Sequence, residues 1–497
     1  MFESAELGQT VDKTTWARRV PGLRTALLDA QADVREAGTF PVIVLIGGVD
    51  GAGKGETVNL LNGWLDPRHV VTHAMGAAKD EIVRGMPHMW RFWHALPPKG
   101  KVGILFGSWY SSPIVDRVYG KIKKGGLQRS IDEILRFEKM LTDDGACVVK
   151  LWFHLSKKAQ RARLGALEKD RDTRWRVTAT DWKHFGMYDE FRSVSEEVLR
   201  QTSTGDAPWT VIEGTDARYR GLSAGTALRD AMRKRLAVGA KHARRAAKAG
   251  PADLSASVPG KRVIHELDLS PTMKSKKKYD DELEHLQGKL SLLSRHASFA
   301  RRSVIVAFEG SDAAGKGGAI RRITSALDAR LYEVVPIAAP TAEERAFPYL
   351  WRFWRHIPRR GHVTIFDRSW YGRVLVERVE KLCEPAAWGR AYQEICDFED
   401  QLVAHGAIVA KFWLAISQDE QLARFREREK LGFKRYKITA EDWRNRASWD
   451  EYEVAASDMV DRTSTERAPW TLVPANDKEF ARIKILRTLC DRIEAAL

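Results

Sequence analysis

Apolar positions along this 497-residue chain fall into two kinds of pattern. Short unbroken runs rich in β-branched residues, PVIVLIGG at 41–48 and SVIVAFEG at 303–310, each end on glycine. Such runs suit strands buried on both faces of a parallel sheet. VGILF, VTIF, CVVKLWF and AIVAKFWL repeat the pattern further along. Other segments, such as DDELEHLQGKLSLLSR, carry apolar residues at helical spacing. Strand alternating with helix predicts an α/β fold, with parallel sheets sandwiched by helices.

The same grammar is written twice. Trp90-Arg91-Phe92-Trp93 recurs as Trp351-Arg352-Phe353-Trp354, an offset of 261 (351 less 90). That offset also carries Ser108-Trp109-Tyr110 onto Ser369-Trp370-Tyr371, Lys150 onto Lys411, Asp181-Trp182 onto Asp442-Trp443, and Ala207-Pro208-Trp209-Thr210 onto Ala468-Pro469-Trp470-Thr471. A period this long marks a duplicated domain and not a solenoid. The boundary falls in 233–263, where a basic, alanine-rich stretch gives way to Pro251, Pro259 and Gly260. The first half reads as helix and the second as linker. The division expected is 1–245, a linker at 246–275, and 276–497. The run Lys274–Lys278 reads as a solvated helix entry and not as a nucleic-acid motif.

Directly after the first strand of each copy stands a glycine-rich loop, Gly48-Val-Asp-Gly-Ala-Gly53-Lys54 and Gly310-Ser-Asp-Ala-Ala-Gly315-Lys316. Both fit GxxxxGK, the phosphate loop. Its glycines let backbone N–H groups turn inward around phosphate oxygens, and the following helix aims its positive end at them. Gly310, Ala313, Ala314, Gly315 and Gly317 are therefore candidate phosphate contacts in the second copy, and Lys316 would reach the terminal phosphates. A Walker A loop ordinarily has Ser or Thr after its lysine to hold a metal ion; here Gly55 and Gly317 follow. Asp50 or Asp312 could supply that oxygen instead.

The third strand separates the copies. In VTIFDRSWYGRVLVERV, Asp367 ends the strand, where such folds place an acidic metal partner beside the loop. Arg368 follows, and a helix after it would present Arg373 and Glu377. At the same offset the first copy has Phe106, Gly107 and Ser112 for Asp367, Arg368 and Arg373. A basic lid that excludes water is expected at 424–443, where Arg424 and Arg428 share a helix face. Arg428 and Lys437 are the expected phosphate contacts. Leu167 stands at the position of Arg428, while Arg176 keeps the charge aligned with Lys437. The second copy is therefore expected to be the catalytic one and the first a degenerate one.

Composition narrows the class. Lys+Arg 82 against Asp+Glu 66 leaves a net charge of +16, which favours a polyanionic partner. No apolar run is long enough for a membrane helix, and no secretory leader is evident. Four cysteines, Cys147, Cys383, Cys396 and Cys490, form no CxxC pair and read as reduced thiols. A cytoplasmic setting is expected, without a membrane partner.

The stretches GSDAAGKGG, PTAEERAFPYLWRFWRHIP, FDRSWYGRVLVERV and RYKITAEDW together resemble the family-2 polyphosphate kinases, and the likeness spans nearly all of both copies. The resemblance implies two tandem P-loop kinase domains, each a thymidylate-kinase-like sandwich with a helical lid. It implies Mg²⁺-dependent phosphoryl transfer between inorganic polyphosphate and a nucleotide. Fused two-domain members resemble the subgroup that phosphorylates AMP to ADP, so polyphosphate and AMP/ADP are the expected partners, not nucleic acid. A homo-oligomer is compatible with this. By position Asp312, Lys316, Asp367 and Arg368 match the family's catalytic core, with Asp312 and Asp367 as metal ligands. Arg428 matches its lid arginine and Glu377 a further acidic position. The segment from Thr341 to Arg352, including Glu344 and Arg345, would help form the acceptor side. Three rivals stand: an ATP-using kinase of the same fold, a polyphosphate kinase specific for nucleoside diphosphates, and a nucleic-acid-binding P-loop protein, which would leave Asp367-Arg368 unexplained.

Overall fold

In the computed structural model the chain divides into two compact units. The first comprises Met1–Ala78, His88–Ala252 and Ala342–Pro348; the second comprises Lys79–Pro87, Asp253–Thr341 and Tyr349–Leu497. The structure describes all residues except 77–82, 84, 247–262 and 431–437, and side chains are not described for 240–246.

Each unit is built on a five-stranded parallel sheet. In the first the strands are β1 (Val42–Gly48), β2 (Val70–Ala74), β3 (Val102–Phe106), β4 (Cys147–His154) and β5 (Trp209–Glu213), in spatial order β2-β3-β1-β4-β5. The second repeats this with β6 (Ser303–Gly310), β7 (Tyr332–Pro336), β8 (Val363–Asp367), β9 (Ala407–Ala415) and β10 (Trp470–Pro474), in order β7-β8-β6-β9-β10. Sequential strands switch direction of travel around β1 and β6, which leaves a crevice at the carboxyl ends of the central strands. The expected runs are all strands. The outer strands β2, β5, β7 and β10 complete the sheets; β2 is mostly exposed or half-buried along its length, so it lacks the apolar run that marks a buried strand.

Period-two alternation decides which face each strand residue serves. On one face of the second sheet Val304, Val306 and Phe308 pack with Ile365, Phe412 and Leu414 beneath α8 (Lys276–Ser294) and α14 (Lys478–Ala496). These helices contribute Leu286, Leu290, Leu486 and Leu489. Ser275 caps α8 by accepting from Lys278 N, and Lys274–Lys278 is exposed, as expected of a helix entry. The opposite face is aromatic: Trp370 packs edge-on against Phe398 of α10 (Pro385–Ala404), with Phe353, Trp354 and Phe366 around them.

Several of the residues that recur at the fixed offset serve the fold rather than the chemistry. Lys411 is buried on β9 and donates to Glu399 Oε2 (2.7 Å), Thr463 O (2.8 Å) and the Tyr371 hydroxyl (2.8 Å). Trp370 Nε1 and Tyr371 Oη both donate to Glu399 Oε1. The first unit repeats the network with Lys150, Glu138, Trp109, Tyr110 and the Thr202 carbonyl. A buried ion pair survives only when its remaining donors and acceptors are also satisfied, so the whole set is retained together. Likewise Thr178/Asp181 and Thr439/Asp442 form capping boxes at the starts of α5 (Ala179–Gly186) and α12 (Ala440–Ala447). No helix among the described residues is long and apolar enough to cross a membrane.

Candidate active site

The loop of the second unit leaves β6 at Gly310, whose φ is +137°. A Cβ there would lie 2.3 Å from Leu414 O, so only glycine fits. Ala313 also adopts a left-handed φ, +64°, and Gly315 caps α9 (Lys316–Thr324) at +111°. This brings successive backbone N–H groups around the start of a helix, the arrangement that binds phosphate. Lys316 Nζ donates to Gly310 O at 2.7 Å, so its ammonium spans the mouth of the loop.

Parallel register sets the next element. Phe308 on β6 pairs with Asp367 on β8, so the Asp367-Arg368 turn rises beside the phosphate loop. Arg368 has φ +63°, a conformation that costs a non-glycine residue on the order of 1–2 kcal/mol. Its Nη2 donates to Asp312 Oδ1 (3.1 Å) and its Nη1 to Glu441 Oε1 (3.3 Å) on α12. Burial would lower the Arg368 pKa, but Asp312, Glu309 and Glu441 together raise it further. Asn445, one turn along α12, donates to Asp312 Oδ2 at 2.8 Å. The structure thus brings together three sequence-expected residues, Asp312, Lys316 and Arg368, with Asp367 on the adjoining strand end.

Residues that the sequence reading passed over complete the site. Asn445 and Glu441 reach it from α12, and Gln421 Nε2 donates to Asp312 O at 3.2 Å. Glu309 is buried one residue before the end of β6 and accepts from Ser369 N (2.7 Å) and Oγ (2.8 Å). Burial pushes its carboxyl up to about 7, against the opposing charges of Lys316 and Arg368 and the bonds from Ser369. Comparison of the two copies at the loop's own offset of 262 would have exposed it, because Gly47 stands at its place in the first.

Other expected residues take different positions. Arg424, read as part of a basic lid, is buried on α11 (Gln418–Lys430) and serves the loop from beneath. Its Nη1 donates to Ala313 O and Ala314 O and its Nη2 to Ala475 O and Asn476 O, all within 3.1 Å. Five fixed donors in a planar fork explain why an arginine holds four carbonyls at once. Arg428, on the last turn of α11, is half-buried. Arg373 and Glu377 do not share one helix: Arg373 ends a 3₁₀ turn, Trp370–Arg373, and Glu377 lies on a separate turn, Val376–Val379. The non-helical backbone at Leu375 (φ −108°, ψ −99°) divides the single helix expected there, yet the two side chains pair at 2.7 Å. The Arg373 guanidinium lies 4.3 Å from the Tyr349 ring centre. Arg352 stacks over Phe353 at 5.5 Å. Glu344 lies within 342–348, counted to the first unit, so the second unit's geometry does not include it. Lys437 lies outside the described residues.

The donor set suits a cation only in combination with phosphate. Among the described residues no three His, Cys, Asp or Glu converge as a self-sufficient metal cage. Asp312 keeps lone pairs beyond the two bonds it accepts, and Asp367 sits at the adjoining strand end, also with carboxylate lone pairs to offer. One or two carboxylates completed by substrate oxygens and water are what Mg²⁺ ordinarily accepts. The residues present therefore fit such an ion.

The first unit's loop is differently occupied. Lys54 Nζ donates to Gly48 O (2.5 Å) and Asp50 Oδ1 (3.2 Å), and His184, in the place of Asn445, holds Asp50 Oδ2 at 2.7 Å. Burial would raise the Asp50 pKa, but the Lys54 charge and the bond to His184 hold it well below the usual carboxylate range. Glu56, on the first turn of α2 (Lys54–Trp64), draws Arg163 (2.9 Å), Arg176 (3.1 Å) and Arg220 (2.5 Å) onto one carboxylate.

The model of the Polyphosphate kinase 2 family matches residues 10–238 and again 273–497. A polyphosphate:AMP phosphotransferase of Pseudomonas aeruginosa is 55% identical over 496 residues, covering 100% of this chain and 99% of that one. A polyphosphate:AMP phosphotransferase of Acinetobacter johnsonii is 36% identical, covering 91% of each. A crystal structure of a polyphosphate kinase 2 from Pseudomonas aeruginosa superposes with a TM-score of 0.89 at 52% identity, covering 100% of this chain and 99% of that one. With the phosphate loop, the Asp367-Arg368 turn and the match of both halves in agreement, this chain belongs to the polyphosphate kinase 2 family, with one family domain in each half.

Proposed function

We propose that this chain transfers the terminal phosphoryl group of inorganic polyphosphate to AMP, giving ADP and a polyphosphate shorter by one unit. The observation that carries the reading is the Arg368–Asp312 contact at the phosphate loop, an arginine that the first copy lacks because Gly107 stands in its place. Relatives matching both copies are named for AMP, whereas those named for nucleoside diphosphates match 44–46% of the chain. That contrast supports AMP as acceptor. Residues 276–497 form the catalytic domain on this reading, 1–245 the degenerate one, and 246–275 the linker.

The chemistry is a direct in-line displacement. An oxygen of the AMP phosphate attacks the terminal phosphorus of the chain, and the bridging P–O bond to the rest of the polymer breaks as the new bond forms. Loop amides and Lys316 hold the terminal phosphates, while Arg368 and Arg428 stabilise charge on the transferred group and the leaving oxygen. Arg352, Arg373, Glu377 and Lys437 are assigned to substrate contacts. Asp312 and Asp367 would hold Mg²⁺, which when bound neutralises phosphate charge. No protein nucleophile is needed.

Purified protein given AMP with long-chain polyphosphate should form ADP, and with ATP in place of polyphosphate should form none. ADP formation from ATP and AMP alone would establish the ordinary nucleotide kinase instead, and phosphorylation of ADP but not AMP would move the acceptor to diphosphates.

A further inference from the structure

Glu309 is a carboxylate taken out of water at the end of the central strand, immediately before the phosphate loop, and the chemistry above gives it no task. Its Oε1 accepts two bonds from one residue, Ser369 N at 2.7 Å and Ser369 Oγ at 2.8 Å. Ser369 directly follows Arg368, whose φ of +63° only a constrained setting maintains in a residue with a side chain. The main-chain N–H that Glu309 grips belongs to the peptide unit closing that left-handed turn. Arg368 N, on the other side, donates to Phe308 O at 3.1 Å. The turn is thus pinned before and after by adjacent residues of β6.

The first unit supplies an internal control. Gly47 replaces Glu309, and a Cβ there would lie 2.9 Å from the Trp152 ring. Without the carboxylate, Ser108 N, in the place of Ser369 N, takes Ser111 Oγ at 3.2 Å. Ser111 in turn stands where the second copy has Gly372. The left-handed residue there is Gly107, φ +82°, which holds that conformation without help. The copy that must place an arginine in the left-handed turn has the buried carboxylate, and the copy that places a glycine there has none.

We infer that Glu309 is a positioning residue for Arg368: by holding Ser369 through Oε1 it fixes the turn that aims the Arg368 guanidinium at Asp312 and the phosphate loop. This rests on the role proposed for Arg368, and the test separates the two. Steady-state rates are measured for Glu309→Ala, Glu309→Gln and Arg368→Ala, and for the double variants, at saturating AMP and polyphosphate. Glu309→Ala should lower kcat on the order of tenfold with KM values within about twofold, since a mis-aimed group acts on the transition state. Glu309→Gln keeps an oxygen acceptor for Ser369 and should stay within about threefold of the parent. In the Arg368→Ala background, Glu309→Ala should cost less than about twofold, because the residue it positions is gone. A full tenfold loss in that background, or a Gln variant as slow as the Ala variant, overturns the inference. An Arg368→Ala enzyme as fast as the parent instead overturns the role of Arg368 itself. Should Glu309→Ala yield no folded protein, Glu309→Asp, which withdraws the acceptor by one methylene, enters the same cycle with the same expectations.

Discussion

Arg368 donates to Asp312 across 3.1 Å, joining the end of β8 to the middle of the phosphate loop. The pair is specific to the second copy, since Gly107 stands at the position of Arg368 in the first. Neither residue is fully exposed or fully buried, with side-chain exposures of 39% and 12%. A guanidinium so placed can exchange its carboxylate partner for substrate phosphate without moving far, because both are planar or tetrahedral oxyanions that accept from the same fork.

From this geometry Lys316→Ala and Asp367→Asn should each lower kcat at least about a hundredfold with the fold retained, since each removes charge that the transition state needs. Circular dichroism and turnover measured on the same preparations decide it. Near-parental turnover in either variant would refute the site.

Arg424 supports the loop without touching its mouth. Replacing it with alanine strips a charged donor from four carbonyls, two of them on the loop, and leaves those acceptors buried. We expect a loss of about 3 kcal/mol in unfolding free energy. Arg424→Lys should not restore it, because an ammonium cannot present two parallel pairs of donors. Denaturant unfolding of the three proteins gives the comparison, and a fully stable lysine variant would show that charge, not fork geometry, matters.

Much of the architecture could be read from the sequence because buried parallel strands and a phosphate loop leave dense local signals. PVIVLIGG and SVIVAFEG are strands with their loops attached, as expected. The repeated SWY, Lys150/Lys411 and APWT residues announced the duplication, but their task is a buried hydrogen-bonded network and not chemistry. What escaped was whatever depends on partners distant in sequence. Asn445 lies 133 residues from Asp312, and Ser369 lies 60 from Glu309. No spacing rule brings such pairs together: the β6–β8 register sets Ser369 beside Glu309, and the packing of α12 sets Asn445 on Asp312. Arg424 illustrates the converse, since helical periodicity rightly set it in line with Arg428 but could not say that this face looked inward.

The four cysteines should be poor nucleophiles. Burial pushes Cys147 up to about 12, Cys396 and Cys490 to about 11, and raises Cys383 as well. At pH 7.5 a thiol with a pKa of about 11 or 12 is ionised to less than about one part in a thousand. A chromogenic disulfide should therefore label the native protein slowly and all four positions promptly in denaturant. Rapid stoichiometric labelling of native protein would contradict the environments described.

The first copy should be catalytically silent although it keeps its loop. Lys54 and Asp50 remain, but they are bonded to each other, and His184 takes the second Asp50 oxygen. Phe106, Gly107 and Leu167 replace Asp367, Arg368 and Arg428. Three guanidiniums near the loop converge on Glu56, so cations that would otherwise meet phosphate already have a carboxylate. Loss of a metal ligand and two cations within one site should leave little residual rate, because groups acting together lose their effect together. The loop itself persists for a structural reason: a Cβ at Gly48 would lie 2.1 Å from Phe153 O, so the turn out of β1 requires glycine whatever the chemistry. The informative comparison is Lys54→Ala against Lys316→Ala in the full-length protein. Lys54→Ala should retain most of kcat, within about threefold, and Lys316→Ala should lose at least about a hundredfold. If Lys54→Ala abolishes turnover while Lys316→Ala spares it, the two copies have their tasks in the opposite order.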